Sequence, residues 1–183
     1  MTGGATGGSF MSKPQQEFHR PIAIDSLDDG RATSSIAATA AECAALAKRF
    51  GLVGLDRLEA RIELRRRRGG LIAVNGDLRA DITQTCVVTL EPVPARIEES
   101  FAVSFTTEHR HVAVHEVALD PDAEQPEPVD GGAIDLGELT AQQLSLALPP
   151  YPRAPGAQFD PIDSGEAAAA KPFAGLARLK PRP

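Results

Sequence analysis

Polar and apolar residues alternate through the longest patterned stretch of the chain, from Leu58 to Ile82. A period of two predicts β-strands with one face toward a core and the other toward water. Gly69 and Gly70 interrupt the stretch and can supply the positive φ angles of a tight hairpin turn. The alternation keeps its parity through Asn75-Gly76, so that pair predicts a bulge or bend in one long strand rather than a second hairpin.

Two segments instead follow the period of an amphipathic helix, about 39–50 and about 135–148. The first begins at Thr39, whose hydroxyl and the carboxylate three residues later have capping-box spacing, and its apolar face includes Cys43. The second begins with an aspartate cap at Asp135 and ends before two consecutive prolines. Both segments predict main helices of the fold.

Shorter apolar or alternating segments predict the remaining strands. In chain order they are Phe18 to Ile24, Arg31 to Ala37, Cys86 to Leu90 before a proline-defined turn, and Ile97 to Phe105, with an extension to Val117. Consecutive strands with few helices are typical of an α+β domain. We expect a curled antiparallel sheet or a partly open β-barrel with the two helices packed on it.

The length of 183 residues suits one domain with tails. Residues 1–13 are rich in Gly, Thr and Ser and predict a disordered tail, residues 14–159 form the domain, and residues 160–183 predict a flexible tail. No run approaches the roughly 18 apolar residues that span a bilayer. The start also lacks the charged and apolar regions of a secretion signal, so we expect a cytoplasmic protein with reduced cysteines.

Charge divides the chain into basic and acidic parts. The net charge of −6 argues against a protein that coats nucleic acid without specificity. From Lys48 to Arg79 there are nine basic and four acidic residues, whereas from Asp120 to Glu138 there are seven acidic residues and no basic one. Residues 118–133 predict a solvated acidic loop, because prolines and glycines accompany the charges.

Four consecutive arginines at the predicted hairpin tip are the first candidate site. With two further arginines on the flanking strands, the set is Arg61, Arg65, Arg66, Arg67, Arg68 and Arg79. Guanidinium groups bind phosphate through paired hydrogen bonds, which favours contact with RNA or another polyanion. No aromatic residue is interleaved, so contact with the RNA backbone and shape is favoured over base stacking. The alternative is a charged edge that prevents strand aggregation.

Cys86 and three histidines are weaker candidates for chemistry. As a nucleophile Cys86 needs activation, and its immediate neighbours in sequence offer none. His109, His111 and His115 share parity, so an unbroken strand places them on one face that can ligate zinc, whereas a loop exposes them separately. We expect no catalytic residue, no bound metal and no cofactor.

Two motifs resemble the YceD family of bacterial and plastid large-ribosomal-RNA-subunit accumulation proteins. The first runs from Gly76 through the sequence Cys-Val-Val-Thr-Leu-Glu-Pro-Val, and the second from Ile134 through Leu-Ala-Leu-Pro-Pro-Tyr-Pro. The resemblance covers roughly residues 18–159. Many members carry a second cysteine three residues after the first, where this chain has Thr89. A paired-thiol metal or redox role therefore does not carry over to Cys86.

The resemblance implies a non-enzymatic factor for large-subunit ribosomal RNA accumulation or processing during ribosome assembly. We expect it to bind RNA or a precursor particle through the arginine tip, with no membrane and no small-molecule substrate. A basic ribosomal protein is a further expected partner, contacted by the acidic residues Asp120, Asp122, Glu124, Glu127 and Asp130. The alternative is an adaptor whose acidic loop captures that protein without touching RNA. A cysteine-dependent or zinc enzyme is a third hypothesis.

Overall fold

The structure, a computed structural model, describes residues 17–107, 126–129 and 131–159. Over these residues the expected α+β fold is confirmed, with one five-stranded sheet, one two-stranded sheet and two helices. The strands are β1 (Pro21–Ala23), β2 (Arg31–Ala37), β3 (Gly54–Arg66), β4 (Leu71–Thr85), β5 (Pro92–Thr106), β6 (Glu127–Pro128) and β7 (Ala133–Asp135), and the helices are α1 (Ala40–Phe50) and α2 (Leu136–Ala147).

The large sheet is open over these residues, with strand order β2-β3-β4-β5-β6. All its pairs are antiparallel except β5 with β6. β1 pairs with β7 in the small sheet. The longest strand pairings of the sheet are β3 with β4 and β4 with β5, and a hairpin turn joins each of these pairs.

One face of the large sheet forms the core, as the alternation predicts. Leu58, Ile62, Leu64, Val74 and Leu78 are each at most 1% exposed. α1 contacts β3, and α2 contacts β4 and β5. Burying each large aliphatic side chain stabilises the fold by roughly 1.5–3 kcal/mol. The opposite face of β3, β4 and β5 carries charged and small polar residues and faces solvent.

The capping box predicted for α1 is confirmed. The amide of Glu42 donates to the hydroxyl of Thr39 over 3.3 Å, and its carboxylate accepts from the amide of Thr39 over 2.7 Å. Gly51 ends the helix with φ +65°. The guanidinium of Arg20 donates to both carboxylate oxygens of Glu42 and lowers the pKa of Glu42 to about 2.

β4 is one uninterrupted strand, but the bulge expected at Asn75-Gly76 is wrong. Both residues keep regular register with β3 and with β5, and the register shift lies instead between Leu55 and Arg57 of β3. The requirement for glycine at residue 76 has a different physical reason. The ring of Phe101, its partner on β5, lies where a Cβ atom of residue 76 would stand. The glycine therefore makes room for the ring rather than bending the strand.

The segment before β1 holds the start of α2. The Asp135 carboxylate accepts from the amides of Gly137 and Glu138, which confirms the aspartate cap, and from the amide of Arg20. A Cβ atom on Gly137 would overlap the carbonyl of Phe18. This close approach of two backbone segments requires glycine at residue 137.

Candidate nucleic-acid interface

The turn between β3 and β4 projects arginines from one end of the large sheet. The amide of Arg67 donates to the carbonyl of Leu71 over 2.7 Å and closes the turn. Gly69 and Gly70 have φ values of +72° and +67°, as the hairpin prediction requires. Arg67 and Arg68 are therefore held at the tip, where both are exposed.

Arg31 joins this tip from the neighbouring strand. It lies directly opposite Arg65 in the β2–β3 pairing, on the solvent face, which places their Cβ atoms roughly 5 Å apart. We call the set Arg31, Arg65, Arg66, Arg67 and Arg68 the tip cluster. The sequence gives no direct signal for Arg31, because only the register of β2 against β3 brings it to the turn.

Part of the tip cluster is already paired. Arg65 lies 2.7 Å from the carboxylate of Glu63, and Arg66 donates to the carbonyl of Ile24 over 2.9 Å and lies 3.9 Å from Asp25. The other three arginines form no ion pair with any residue in the described ranges. Those three, Arg31, Arg67 and Arg68, can each offer a complete guanidinium to a phosphate group.

Acidic residues also lie near the tip and limit its positive charge. Besides Asp25, Asp28 and Asp29 lie in the turn before β2, and the carbonyl of Asp28 accepts from the amide of Arg31 over 2.8 Å. The cluster is thus a local concentration of guanidinium groups rather than an extended basic surface. Exposed charges of this kind are screened by salt.

Arg61 and Arg79, expected beside the tip, lie further along the sheet. In the register of β3 against β4, Arg61 lies opposite Asp77 and Arg79 lies opposite Glu59, and the guanidinium of Arg79 is 3.7 Å from the carboxylate of Glu98. Arg79 is roughly 20 Å along β4 from the residue opposite Arg66. Their surroundings are charges of alternating sign around an open groove of about 790 Å³, lined by residues that include Arg61, Asp77, Arg79, Glu98 and Ser100. Opposite charges across strands stabilise such a face and cancel much of its field.

The segment Cys86–Leu90 is a turn between β4 and β5, so the prediction of a buried strand there is wrong. Only Cys86 is buried, whereas Val87 and Leu90 are 47% and 75% exposed. Leu90 has a φ of +63°, a backbone conformation that apolar L residues rarely adopt. This apolar segment is therefore an exposed turn that is anchored by one buried sulfur atom. Pro92, also expected to break a strand, instead begins β5.

Several donors converge on the sulfur atom of Cys86. Its Sγ accepts from the amides of Val88, Thr89 and Ala154 at 3.3 to 3.4 Å. The Thr89 hydroxyl, followed by the amides of Ala154, Thr89 and Val88, lowers the pKa of the thiol to about 6. The expectation that the immediate neighbours Thr85, Val87 and Val88 offer no activation is wrong for Val88, whose amide donates to the sulfur, and the turn also folds Thr89 back onto it. Burial raises the pKa of the other thiol, Cys43, and both cysteines are free.

The remaining predicted site residues are largely outside the described ranges. These are His109, His111, His115, Asp120, Asp122, Glu124 and Asp130. Glu127 is described, and it is exposed on the short strand β6 beside Phe105. The expected acidic loop thus contains a short strand, and Val129 after it is buried. Within the described ranges, no three His, Cys, Asp or Glu side chains could together hold a metal ion, and no helix is long and apolar enough to cross a membrane.

The fold and the tip cluster define an open α+β domain with a basic end. A sequence model of the YceD family, described as large ribosomal RNA subunit accumulation protein YceD, matches residues 74–180, more than half of the chain. The chain belongs to this family. No curated protein and no solved structure matches it.

The matched range locates the shared features of the family on this fold. It begins within β4 and includes the Cys86 turn, β5 and α2. It starts later and ends later than the residues 18–159 over which the resemblance was expected. The tip cluster precedes it, so the candidate interface rests on the charge and geometry of this chain rather than on the family match.

Proposed function

We propose that this chain is a non-enzymatic factor for the accumulation of large-subunit ribosomal RNA, and that it binds this RNA or a precursor particle through the tip cluster. The family name attributes the accumulation role to its members. The observation that carries the RNA contact is the set of three tip arginines without an acidic partner among the described residues.

The arrangement favours contact with the phosphate backbone. Guanidinium groups on a rigid hairpin can make paired hydrogen bonds to phosphate oxygens without reading the base sequence. The tip cluster contains no aromatic side chain on which a base could stack. The expected RNA site is therefore a structured element with closely spaced phosphates, recognised by shape.

The surroundings of Cys86 support a non-enzymatic role. Its sulfur is completely buried, and three backbone amides already donate to it. The low pKa follows from these hydrogen bonds, which hold the turn in place, and an external substrate cannot reach the sulfur unless the turn opens. Arg61 and Arg79 are left out of the proposed contact, since acidic neighbours on the same face surround them.

Co-sedimentation with precursor large subunits tests this proposal. Tagged protein is run on sucrose gradients at low and moderate salt, beside a variant with Arg31, Arg67 and Arg68 all changed to Ala. We expect the unaltered protein to follow the precursor at low salt and to leave it as salt rises, and the variant to stay at the top of the gradient. Equal co-sedimentation of the two proteins would contradict an RNA contact at the tip.

A second candidate function is a protein adaptor without direct RNA contact. The excess of seven acidic residues from Asp120 to Glu138, with Glu127 exposed on β6, favours a basic protein as its partner. Nuclease treatment before the gradient separates the two candidates. An adaptor stays bound to ribosomal protein after RNA digestion, whereas the proposed RNA contact is lost.

A further inference from the structure

The outer edge of β5 presents a long row of backbone groups. The amide of Cys86 donates to the carbonyl of Glu91 over 2.8 Å, and the amide of Thr107 donates to the carbonyl of Gly70 over 3.0 Å. Both bonds fit the register that runs through the β4–β5 pair. In an antiparallel pair such bonds recur at every second residue, so the odd-numbered residues of β5 bond to β4.

The even-numbered residues of β5 therefore point their amides and carbonyls away from β4. Pro92 and Pro94 have this parity, so their missing amides cost no bond to β4. At the far end, the amide of Val129 donates to the carbonyl of Thr106. Between these ends lie four residues whose outward backbone groups have no partner among the described residues, namely Arg96, Glu98, Ser100 and Ala102, whereas the pairing of Phe105 with Glu127 engages the carbonyl of Ser104.

The other edge of the sheet is shorter and partly closed. The guanidinium of Arg20 donates to the carbonyl of Ala37 at one end of β2, and the amide of Arg31 donates to the carbonyl of Asp28 at the other end. β5 thus holds the longer open edge. Unpaired edges of this length are templates for strand addition unless something blocks them.

The side chains along the β5 edge indicate what kind of strand fits. Arg96 lies 3.0 Å from the carboxylate of Asp81, which also pairs with Arg57. Glu98 and Glu99 are both exposed, and as consecutive strand residues they point to opposite faces of the strand. Glu98 lies on the solvent face, 3.7 Å from Arg79. Half-buried Ile97 and Val103 flank them on the core side. A complementary strand therefore carries two consecutive basic residues opposite the glutamates and apolar residues at alternate positions.

We propose that the edge of β5 from Arg96 to Ala102 binds an extended basic segment of a partner protein as an added antiparallel strand. Backbone hydrogen bonds supply much of the affinity, and the two glutamates select for basic residues. This site is separate from the tip cluster and does not depend on the RNA contact proposed above.

A labelled synthetic peptide of about nine residues probes the site, since this length spans the open edge from Arg96 to Ala102 with about one residue more at each end. It alternates threonine and valine, with two consecutive lysines placed opposite Glu99 and Glu98. We expect fluorescence anisotropy to show saturable binding to the full chain, with weaker binding by a Glu98→Gln, Glu99→Gln double variant. A peptide with both lysines changed to glutamate is the control and should not bind.

The decisive variant is Ala102→Pro, because it removes an outward amide and leaves every bond to β4 in place. Pro92 and Pro94 already show that the strand accepts proline at this parity. We expect peptide affinity to fall roughly tenfold or more from the lost bond and the blocked edge. Ala102→Ser keeps the amide and should bind as the unaltered chain does. Equal peptide affinity for the proline variant would overturn the proposal.

Amide hydrogen exchange tests the same edge without any substitution, so it remains informative if the proline variant fails to fold. The amides of Glu98, Ser100 and Ala102 should exchange quickly in the free protein and slowly with peptide. Protection of these amides in a free monomer would mean that this chain covers its own edge, and protection in a dimer would mean that a second copy does. Either result overturns the proposal, as does failure of the peptide to bind. Variants of the tip cluster should bind the peptide normally, which separates failure here from failure of the RNA contact.

Discussion

Removing the three unpaired arginines of the tip cluster should abolish most of the salt dependence of RNA binding. The variant changes Arg31, Arg67 and Arg68 to Ala. None of the three has an ion pair with another described residue, so the folded protein loses no such contact there. Exposed substitutions of this kind usually change the free energy of unfolding by less than about 0.5 kcal/mol.

The expected magnitude follows from counterion release. Each phosphate that a guanidinium neutralises contributes about 0.7 to 0.9 to the slope of log affinity against log salt. Three arginines therefore give a slope of roughly −2 to −3. Affinity should fall roughly 20- to 40-fold between about 50 and about 200 mM salt for the unaltered chain. For the variant the slope should approach zero.

A matched control removes the same charge elsewhere on the sheet. Arg57, Arg79 and Arg96 lie on the solvent face, and each is within 4 Å of a carboxylate. Changing these three to Ala also makes the net charge of −6 more negative by three units. The control should retain the slope of the unaltered chain.

Fluorescence anisotropy with a labelled fragment of large-subunit ribosomal RNA, repeated over a range of salt concentrations, measures the slopes. The reasoning fails if the tip variant and the control lose the same slope, because net charge alone would then explain binding. It also fails if the tip variant keeps the original slope. Binding by the unaltered chain that is independent of salt would exclude a phosphate contact altogether.

Two further predictions concern the stability of the fold. In urea titration, Gly137→Ala should lower the free energy of unfolding by about 3 kcal/mol, because the added Cβ meets the carbonyl of Phe18. The control Gly54→Ala should lower it by less than about 1 kcal/mol, because its Cβ approaches only Thr83, at 3.9 Å. Similar costs for the two variants would contradict the close approach. The pKa of Cys86 is about 6 in the folded chain against an ordinary 9.0, so folding favours the thiolate. The resulting stabilisation of the fold is complete above pH 9 and is lost as the pH falls through 6. Urea titrations should therefore show the stability of the protein rising relative to Cys86→Ser between pH 6 and pH 9, and a constant difference would contradict the hydrogen bonds to sulfur.

The elements that alternate strictly were predictable from the sequence, and so were the helix caps. Leu58, Ile62 and Val74 are buried as their parity requires, and Thr39 caps α1 through local contacts only. These features depend on residues close in sequence. The short strand β7 carries no comparable pattern, because its pairing with β1 is set by contacts distant in sequence.

The arrangement of the candidate site depends on the fold in the same way. Whether Arg79 lies at the tip depends on the register of β4 against β3, which alternation alone does not determine. Arg31 reaches the tip through the register of β2, and no local motif announces it. The apolar neighbours of Cys86 predict a strand, whereas Leu90 adopts a left-handed conformation in an exposed turn. Charge was readable from the sequence, whereas its arrangement required the fold.

If the tip cluster of this protein supports the accumulation of large-subunit ribosomal RNA, changing it should alter that accumulation in cells. The most direct measurement is the ratio of large- to small-subunit ribosomal RNA in cells that lack the protein and express either the Arg31, Arg67 and Arg68 variant or the Arg57, Arg79 and Arg96 control, at equal protein levels. We predict that the control restores the ratio given by the unaltered protein and that the tip variant leaves it as low as in cells without the protein. Full restoration by the tip variant would contradict the account.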